Sequence, residues 1–267
     1  MSLFKEFVHY NFKILTSKIQ ERLKGKFYVF FMNRNSKKGL VYNFKNNKYF
    51  VTEKNNVHYF IKPRGIHYKN GLSERTLDLA NSYGIDMIDF SKSDLIVDVG
   101  ANTGDLISYF PNQRYIGFEP SPAEFKCLQE NSKSNCIVYN YAAGDTDNEI
   151  DFYISSAGAD SSMFMPLKVE NIIRVKQIRL DKLINSSVKL LKIDAEGAEF
   201  EVINGARNLL SKIEFIAIDL GFEKGINQES TAPVVFNYLY GQDFELIKMQ
   251  RNERYMFKNR KLNTFIV

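Results

Sequence analysis

From Leu95 onward, short apolar runs alternate with stretches whose apolar residues recur at helical spacing. Residues 95–99, 114–118, 136–142, 188–193 and 215–218 are brief and rich in Val, Ile, Leu and Phe, as expected of strands buried on both faces of a parallel sheet. The intervening segments 105–110, 122–131 and 199–210 predict helices. Pro122 suits a first helical turn, and Val202, Ile203, Leu209 and Leu210 form one apolar face. Such βα alternation predicts an α/β domain around a parallel sheet. Shorter strands are expected at 150–154 and 175–180, with a small-residue loop at 155–166 between them. A helix at 234–240 and an antiparallel pair at 244–249 and 254–257 follow, and 263–267 closes the chain.

The first seventy residues follow a different pattern. Leu3, Phe4, Phe7, Val8, Phe12, Ile14, Leu15, Ile19 and Leu23 are spaced for one or two amphipathic helices within 1–34. In 38–61, Tyr42, Phe44, Tyr49, Val51, Tyr59 and Ile61 alternate with polar residues around turns at 45–48 and 54–56, which predicts a β-meander. A polar connector at 64–70 leads into a helix at 72–83. The division expected is an N-terminal helical and hairpin extension, 1–70, before an α/β domain, 71–267.

Candidate chemistry gathers at the predicted strand ends. The run LIVDVGANTG places Asp98 at the end of the first core strand, with Gly100, Ala101, Asn102 and Gly104 in the turn that follows. Glycines there allow a sharp turn and close approach of a ligand. The G-x-x-x-G spacing departs from the dinucleotide fingerprint, and an acid two residues before the first glycine repels a pyrophosphate. That acid suits a ligand carrying an amino group, such as S-adenosylmethionine. Glu119, with Pro120 after it, ends the second strand about twenty residues on, where an acid can accept both ribose hydroxyls. The alternative is an ordinary βα turn in which Asp98 caps a helix.

Composition narrows the classes. The net charge of +5 is concentrated early, on Lys13, Lys18, Lys24, Lys26, Lys37, Lys38, Lys45 and Lys48. This leaves open a solvated face or peripheral contact with an anionic partner, a membrane surface included. Cys127 and Cys136 have no CxxC or nearby histidine, so idle thiols in a reducing, cytoplasmic setting are expected rather than a zinc site or disulfide framework. No signal peptide, membrane-spanning run or nucleic-acid motif is read in the sequence.

Four motifs in order resemble the FkbM family of S-adenosylmethionine-dependent methyltransferases. They are DVGANTG from Asp98, FEPSP from Phe118, the loop around Ser161 and Ser162 followed by RLDKL from Arg179, and LKIDAEGAEFEVINGA from Leu191. The resemblance implies a class I, Rossmann-like fold: a seven-stranded, mostly parallel sheet with helices on both faces. It implies methyl transfer to a hydroxyl of a small-molecule or glycan acceptor, with a sugar in a surface glycan or its precursor as the leading expectation. The alternatives are a non-sugar metabolite or protein acceptor, or a non-catalytic binding module. It places Asp98, Gly100, Ala101, Asn102, Gly104, Glu119, Pro120 and Asp194 beside the cofactor, with Ala142, Ala143 and Asp145, in the loop after the third strand, facing adenine. Asp194, Glu196 and Glu199 are the catalytic candidates: mutually repelling acids, one with a raised pKa, or a shared site for a divalent cation such as magnesium. Asp194 as a helix N-cap and Glu199 as a tie for a neighbouring loop are the structural alternatives. Asp160, Ser161 and Ser162 are candidates for an acceptor lid. Many members end the fifth strand in glutamate with a histidine shortly after. Here Asp219, Leu220, Gly221 and Phe222 stand there, and His9, His58 and His67 all precede the nucleotide fold.

Overall fold

The computed structural model describes residues 23–155 and 161–262. The chain divides into two compact units between Arg75 and Thr76. The first contains helix α1, Gly25–Asn35, and three strands, β1, Leu40–Lys45, β2, Lys48–Glu53, and β3, Asn56–Phe60. The strands pair as the expected antiparallel meander, Tyr42 opposite Val51 and Tyr49 opposite Phe60. Tyr28 and Met32 of α1 pack with Tyr42, Tyr49, Val51, Phe60 and Tyr68 into a core of mainly aromatic side chains. Gly65 is required by that packing: the Tyr28 hydroxyl accepts its N–H, and a Cβ there would lie 2.7 Å from the same oxygen. The predicted helical residues before Leu23 lie outside the described residues.

Helix α2, Leu72–Ser82, spans the division. The second unit is built on β4, Leu95–Val99, β5, Arg114–Phe118, β6, Cys136–Tyr139, β10, Val188–Ile193, β11, Ile213–Asp219, β14, Phe244–Met249, and β15, Arg254–Asn259. They form one seven-stranded sheet in the order β14-β15-β11-β10-β4-β5-β6. Only β15 runs against its neighbours. One face of the sheet packs on Ala80 of α2 and Leu128 of α3, Pro122–Asn131. The other packs on Leu180 of α4, Leu180–Leu183, on Val202 and Ile203 of α5, Glu199–Gly205, and on Val235 and Leu239 of α6, Ala232–Gly241. Strands β12, Phe222–Lys224, and β13, Glu229–Ser230, pair with each other in a separate two-stranded sheet. All five residues of β4 are buried, and this double burial is why its sequence reads as an unbroken apolar run up to Asp98.

Three expectations are corrected. The helix at 105–110 is a single 3-10 turn, Ile107–Tyr109. Pro111 follows at once and drives Phe110 out of the helical region, to φ −114° and ψ 64°, leaving too few residues for a stable helix. The third strand ends at Tyr139, where the Asn140 amide donates to the carbonyls of Glu119 and Pro120 and turns the chain. Ala142–Ala143, β7, then joins a separate sheet with β8, Glu149–Ser155, and β9, Val169–Ile178, in the order β7-β9-β8. The long helix at 199–210 stops at Gly205 and resumes as a 3-10 turn at Leu210–Lys212. Gly205 meets the carbonyl oxygen of Gly144, from which a Cβ would be 1.8 Å away.

Candidate active site

The parallel strands β5, β4, β10 and β11 deliver four acids to one edge of the sheet. Glu119 follows β5, Asp98 lies in β4, Asp194 follows β10 and Asp219 ends β11. The edge is closed by the turn after β4. Gly100 and Ala101 both donate N–H to the carbonyl of Phe118 at 3.0 Å, and Asn102 donates to Glu119 Oε2 at 2.9 Å. Ser121 donates to the other oxygen, Oε1, at 2.9 Å. Gly100, Asn102 and Gly104 all have positive φ, at 72°, 50° and 83°. Glycine is obligatory at Gly100, since a Cβ would meet the Asp194 carbonyl oxygen at 1.9 Å. Glu119 is buried, and desolvation pushes its pKa up to about 8. The two donated amides and the Lys192 charge oppose that rise.

Asp98 is also buried, but not isolated. Tyr115 donates to its Oδ2 at 2.5 Å, and the Lys192 ammonium stands 3.0 Å from Oδ1. Lys192 also donates to the carbonyl of Gly100 at 3.0 Å and reaches Asp194 Oδ2 at 3.7 Å. Burial drives the Lys192 ammonium down, but the carboxylates of Asp98 and Asp194 hold its pKa above the usual value. The charge of Asp98 is therefore already matched within the protein. Its Oδ1 nevertheless takes no aligned hydrogen bond, leaving a buried acceptor at the glycine turn.

Beyond Lys192 the network continues through aromatic and cationic groups. The Tyr83 hydroxyl donates to Asp194 Oδ2 at 2.7 Å, and its buried phenol is held well above the ordinary tyrosine pKa by desolvation and by Asp194. The Arg254 guanidinium lies 4.2 Å from the Tyr83 ring centre and donates to Asp219 Oδ2 at 2.8 Å and to the Ser82 hydroxyl at 2.6 Å. Asp219, the acid that ends β11, thus has an arginine beside it. Burial, then Asp194, raises its pKa.

The three catalytic candidates separate in role. Asp194 is partly exposed, and its hydrogen bond among the described residues is made through Oδ2. It is not a helix N-cap: that position belongs to Ala198. Glu196 has φ 51°, and its carbonyl accepts the Ser162 hydroxyl at 2.6 Å. Glu199 is buried and ties its own loop. Oε1 accepts the N–H groups of Ala195 and Gly197 at 3.2 and 2.9 Å, and Oε2 accepts the Thr231 hydroxyl at 2.8 Å. Its pKa rises to about 7, chiefly through burial rather than through repulsion by Asp194. The three acids do not form a cation cradle. Both Glu199 oxygens are committed to donors, one Asp194 oxygen faces an ammonium and a hydroxyl, and no metal-binding group of acids, histidines or cysteines occurs among the described residues.

The remaining candidates line other parts of the unit. Ala142 and Ala143 pair with Gln177 and Ile178 of β9, their side chains packed into apolar clusters, so that only backbone is left for a ligand. Asp145 is half-buried and accepts from Asn204 at 3.4 Å. The hydroxyl of Ser161 accepts from Ser155 N, and Ser162 ties its loop to Glu196. Asp160 lies outside the described residues. His58 and His67 belong to the first unit. Lys192, Tyr83, Tyr115 and Arg254 were absent from the sequence expectations. Lys192 alone had a local signal: a cation inside the apolar run of a central strand needs a buried counter-charge.

The methyltransferase FkbM domain model matches residues 98–246, more than half of the chain. Over 178 residues the sequence is 25% identical to the hexuronic acid methyltransferase AglP of Haloferax volcanii, covering 64% of this chain and 72% of that protein. Over 148 residues it is 26% identical to the 2-O-methyltransferase NoeI of Sinorhizobium fredii, covering 46% and 61%. The crystal structure of methyltransferase FkbM from Methylobacillus flagellatus KT aligns with a TM-score of 0.45 and 21% identity, over 65% of this chain and 45% of that one. The aligned stretch is thus under two thirds of the length of NoeI and of the M. flagellatus chain. With the family match running from Asp98 in β4 into β14, this chain belongs to the methyltransferase FkbM domain family.

Proposed function

We propose that this protein is an S-adenosylmethionine-dependent O-methyltransferase whose acceptor is a sugar hydroxyl in a surface glycan or its precursor. The observation that carries the reading is the glycine turn pinned to Glu119 at the carboxyl edge of the sheet. This edge is where open α/β sheets bind nucleotides. A buried carboxylate at the end of β5 and an acceptor atom on Asp98 without an aligned hydrogen bond fit the ribose hydroxyls and the amino group of such a cofactor. Membership of the FkbM family supports the transfer chemistry. Two similar proteins, named a hexuronic acid methyltransferase and a 2-O-methyltransferase, support the sugar acceptor.

When bound, the cofactor supplies a methyl group on a sulfonium, an electrophile strong enough for in-line displacement. The chain's own part is to align the acceptor, exclude water and take one proton. Asp194 Oδ1 is the acceptor assigned to that proton. Tyr83 and Lys192 hold Oδ2 and fix the carboxylate plane. Ser162, linked to the Glu196 carbonyl, supports the loop beside Asp194.

Calorimetric titration of S-adenosylmethionine tests the cofactor. Incubation with hexuronic-acid oligosaccharides and the methyl-labelled cofactor tests the acceptor. Micromolar binding and label in a base-stable ether are expected. Absence of binding removes the cofactor assignment, and binding without sugar methylation removes the acceptor class.

A further inference from the structure

Helix α1 is amphipathic in an unusual sense. Its inward arc carries Tyr28 and Met32, both buried. Its outward arc carries Lys26, Phe27, Phe30, Asn33 and Arg34, all exposed, with Lys24 before the helix and Lys37 and Lys38 just after it. At about 100° per residue, the exposed positions from Lys26 to Arg34 fall within little more than a third of the helix circumference. Phe27 is 78% exposed and Phe30 62%, so two large apolar rings face outward. The Arg34 guanidinium lies 5.5 Å from the Phe30 ring centre. Residues 23–52 contain no aspartate or glutamate, yet include Lys24, Lys26, Arg34, Lys37, Lys38, Lys45 and Lys48.

We propose that this face of α1 docks the protein on an anionic lipid bilayer. The chemistry of the face makes two demands at once. The cations call for an anionic surface, and the two phenylalanine rings, which have no polar atom, call for an apolar phase next to it. A helix lying in the headgroup region of an anionic membrane meets both: lysine and arginine contact lipid phosphates while the rings enter the acyl boundary. A nucleic-acid groove meets the charge but supplies no apolar phase for the rings. No helix among the described residues is long and apolar enough to cross a membrane, so the contact proposed is peripheral.

Co-sedimentation of the full chain with vesicles tests the proposal. Binding is expected to vesicles of phosphatidylcholine mixed with phosphatidylserine, to weaken with salt, and to be lost on phosphatidylcholine alone. Phe27→Ser with Phe30→Ser is expected to weaken binding by at least about tenfold. Lys26→Gln and Arg34→Gln should each weaken it about fivefold. These side chains are exposed, so the fold tolerates the changes. No binding to the anionic vesicles overturns the proposal, as does binding that the phenylalanine pair leaves unchanged. Tighter binding to a polyuridylate strand at the same salt, weakened by the same serine substitutions, reassigns the face to nucleic acid. Cofactor binding is unaffected in every case, so the result stands apart from the proposed activity.

Discussion

The ammonium of Lys192 lies 3.0 Å from Asp98 Oδ1, and the two residues are register partners on the adjacent parallel strands β10 and β4. Both are almost completely buried. A buried pair of this kind holds position more than it adds stability, because desolvation offsets most of the attraction. Its partners extend that positioning: Lys192 also reaches the Gly100 carbonyl and Asp194, so one cation ties the glycine turn to the proposed base.

Lys192→Met leaves Asp98 buried without its counter-charge. The expected cost is about 3–5 kcal/mol, read as a drop in the urea midpoint. Adding Asp98→Asn removes the orphaned charge, and the amide oxygen can still accept from Tyr115. The double variant is therefore expected to be more stable than Lys192→Met alone. A double variant that shows the summed losses would mean the two groups are not coupled.

Two glycines with similar backbone angles give a direct contrast. Gly100 and Gly225 have φ of 72° and 68°. A Cβ on Gly100 strikes the Asp194 carbonyl at 1.9 Å, whereas one on Gly225 meets nothing within 4 Å. Gly225→Ala is expected to cost about 1 kcal/mol, the left-handed backbone penalty alone. Gly100→Ala adds a backbone clash and is expected to cost about 3 kcal/mol or more, with loss of cofactor binding. Thermal unfolding of the two variants side by side checks this.

The parallel core strands and the acids at their ends are legible because buried parallel strands write themselves as apolar runs that stop at the sheet edge. Leu95–Val99 and Val188–Ile193 are legible to the residue for that reason. Residues 105–110 read as a helix because Leu106, Ile107 and Phe110 are apolar at helical spacing, while Pro111 and the packing of Gly104 against Ile107 and Leu128 allow only one 3-10 turn. The sequence shows β9 too short because its first half is largely exposed and its apolar residues do not alternate, so that its pairing with β8, not its own pattern, makes it a strand. In the site, a loop tie by Glu199 is among the readings the sequence offers, but its hydroxyl partner is not legible there. That role depends on Thr231, thirty-two positions away, and only the folded chain brings the two within 2.8 Å.

Glu119 and Glu199 predict the sign of a pH dependence. Their folded pKa values, about 8 and about 7, lie above the ordinary 4.5. The folded chain therefore holds these protons more tightly than the unfolded chain. The associated stability is fully present below about pH 4.5 and is lost as pH rises through 7 and 8. The melting temperature attributable to these groups is expected to fall across that interval. Glu119→Gln, which cannot ionise, is expected to flatten the upper part of the slope. An unchanged slope in that variant would place the titration elsewhere.

Asp194 and Tyr83 give the most direct test of the proposed chemistry. Tyr83 is fully buried, and its phenol stays protonated because burial and the neighbouring carboxylate both oppose ionisation. It therefore donates to Asp194 Oδ2 throughout the working pH range and leaves Oδ1 for the proposed proton transfer. Asp194→Asn keeps the shape but cannot take a proton; turnover is expected to fall by about a hundredfold or more, with cofactor affinity changed only slightly. Tyr83→Phe retains the ring against Arg254 and removes one hydrogen bond to a charged group. Its expected effect is a fall of about tenfold in kcat, with KM for the cofactor unchanged. A folded Asp194→Asn protein with full turnover would remove Asp194 as the base. Full turnover in Tyr83→Phe alone would leave the base in place and assign the orientation of its carboxylate to Lys192.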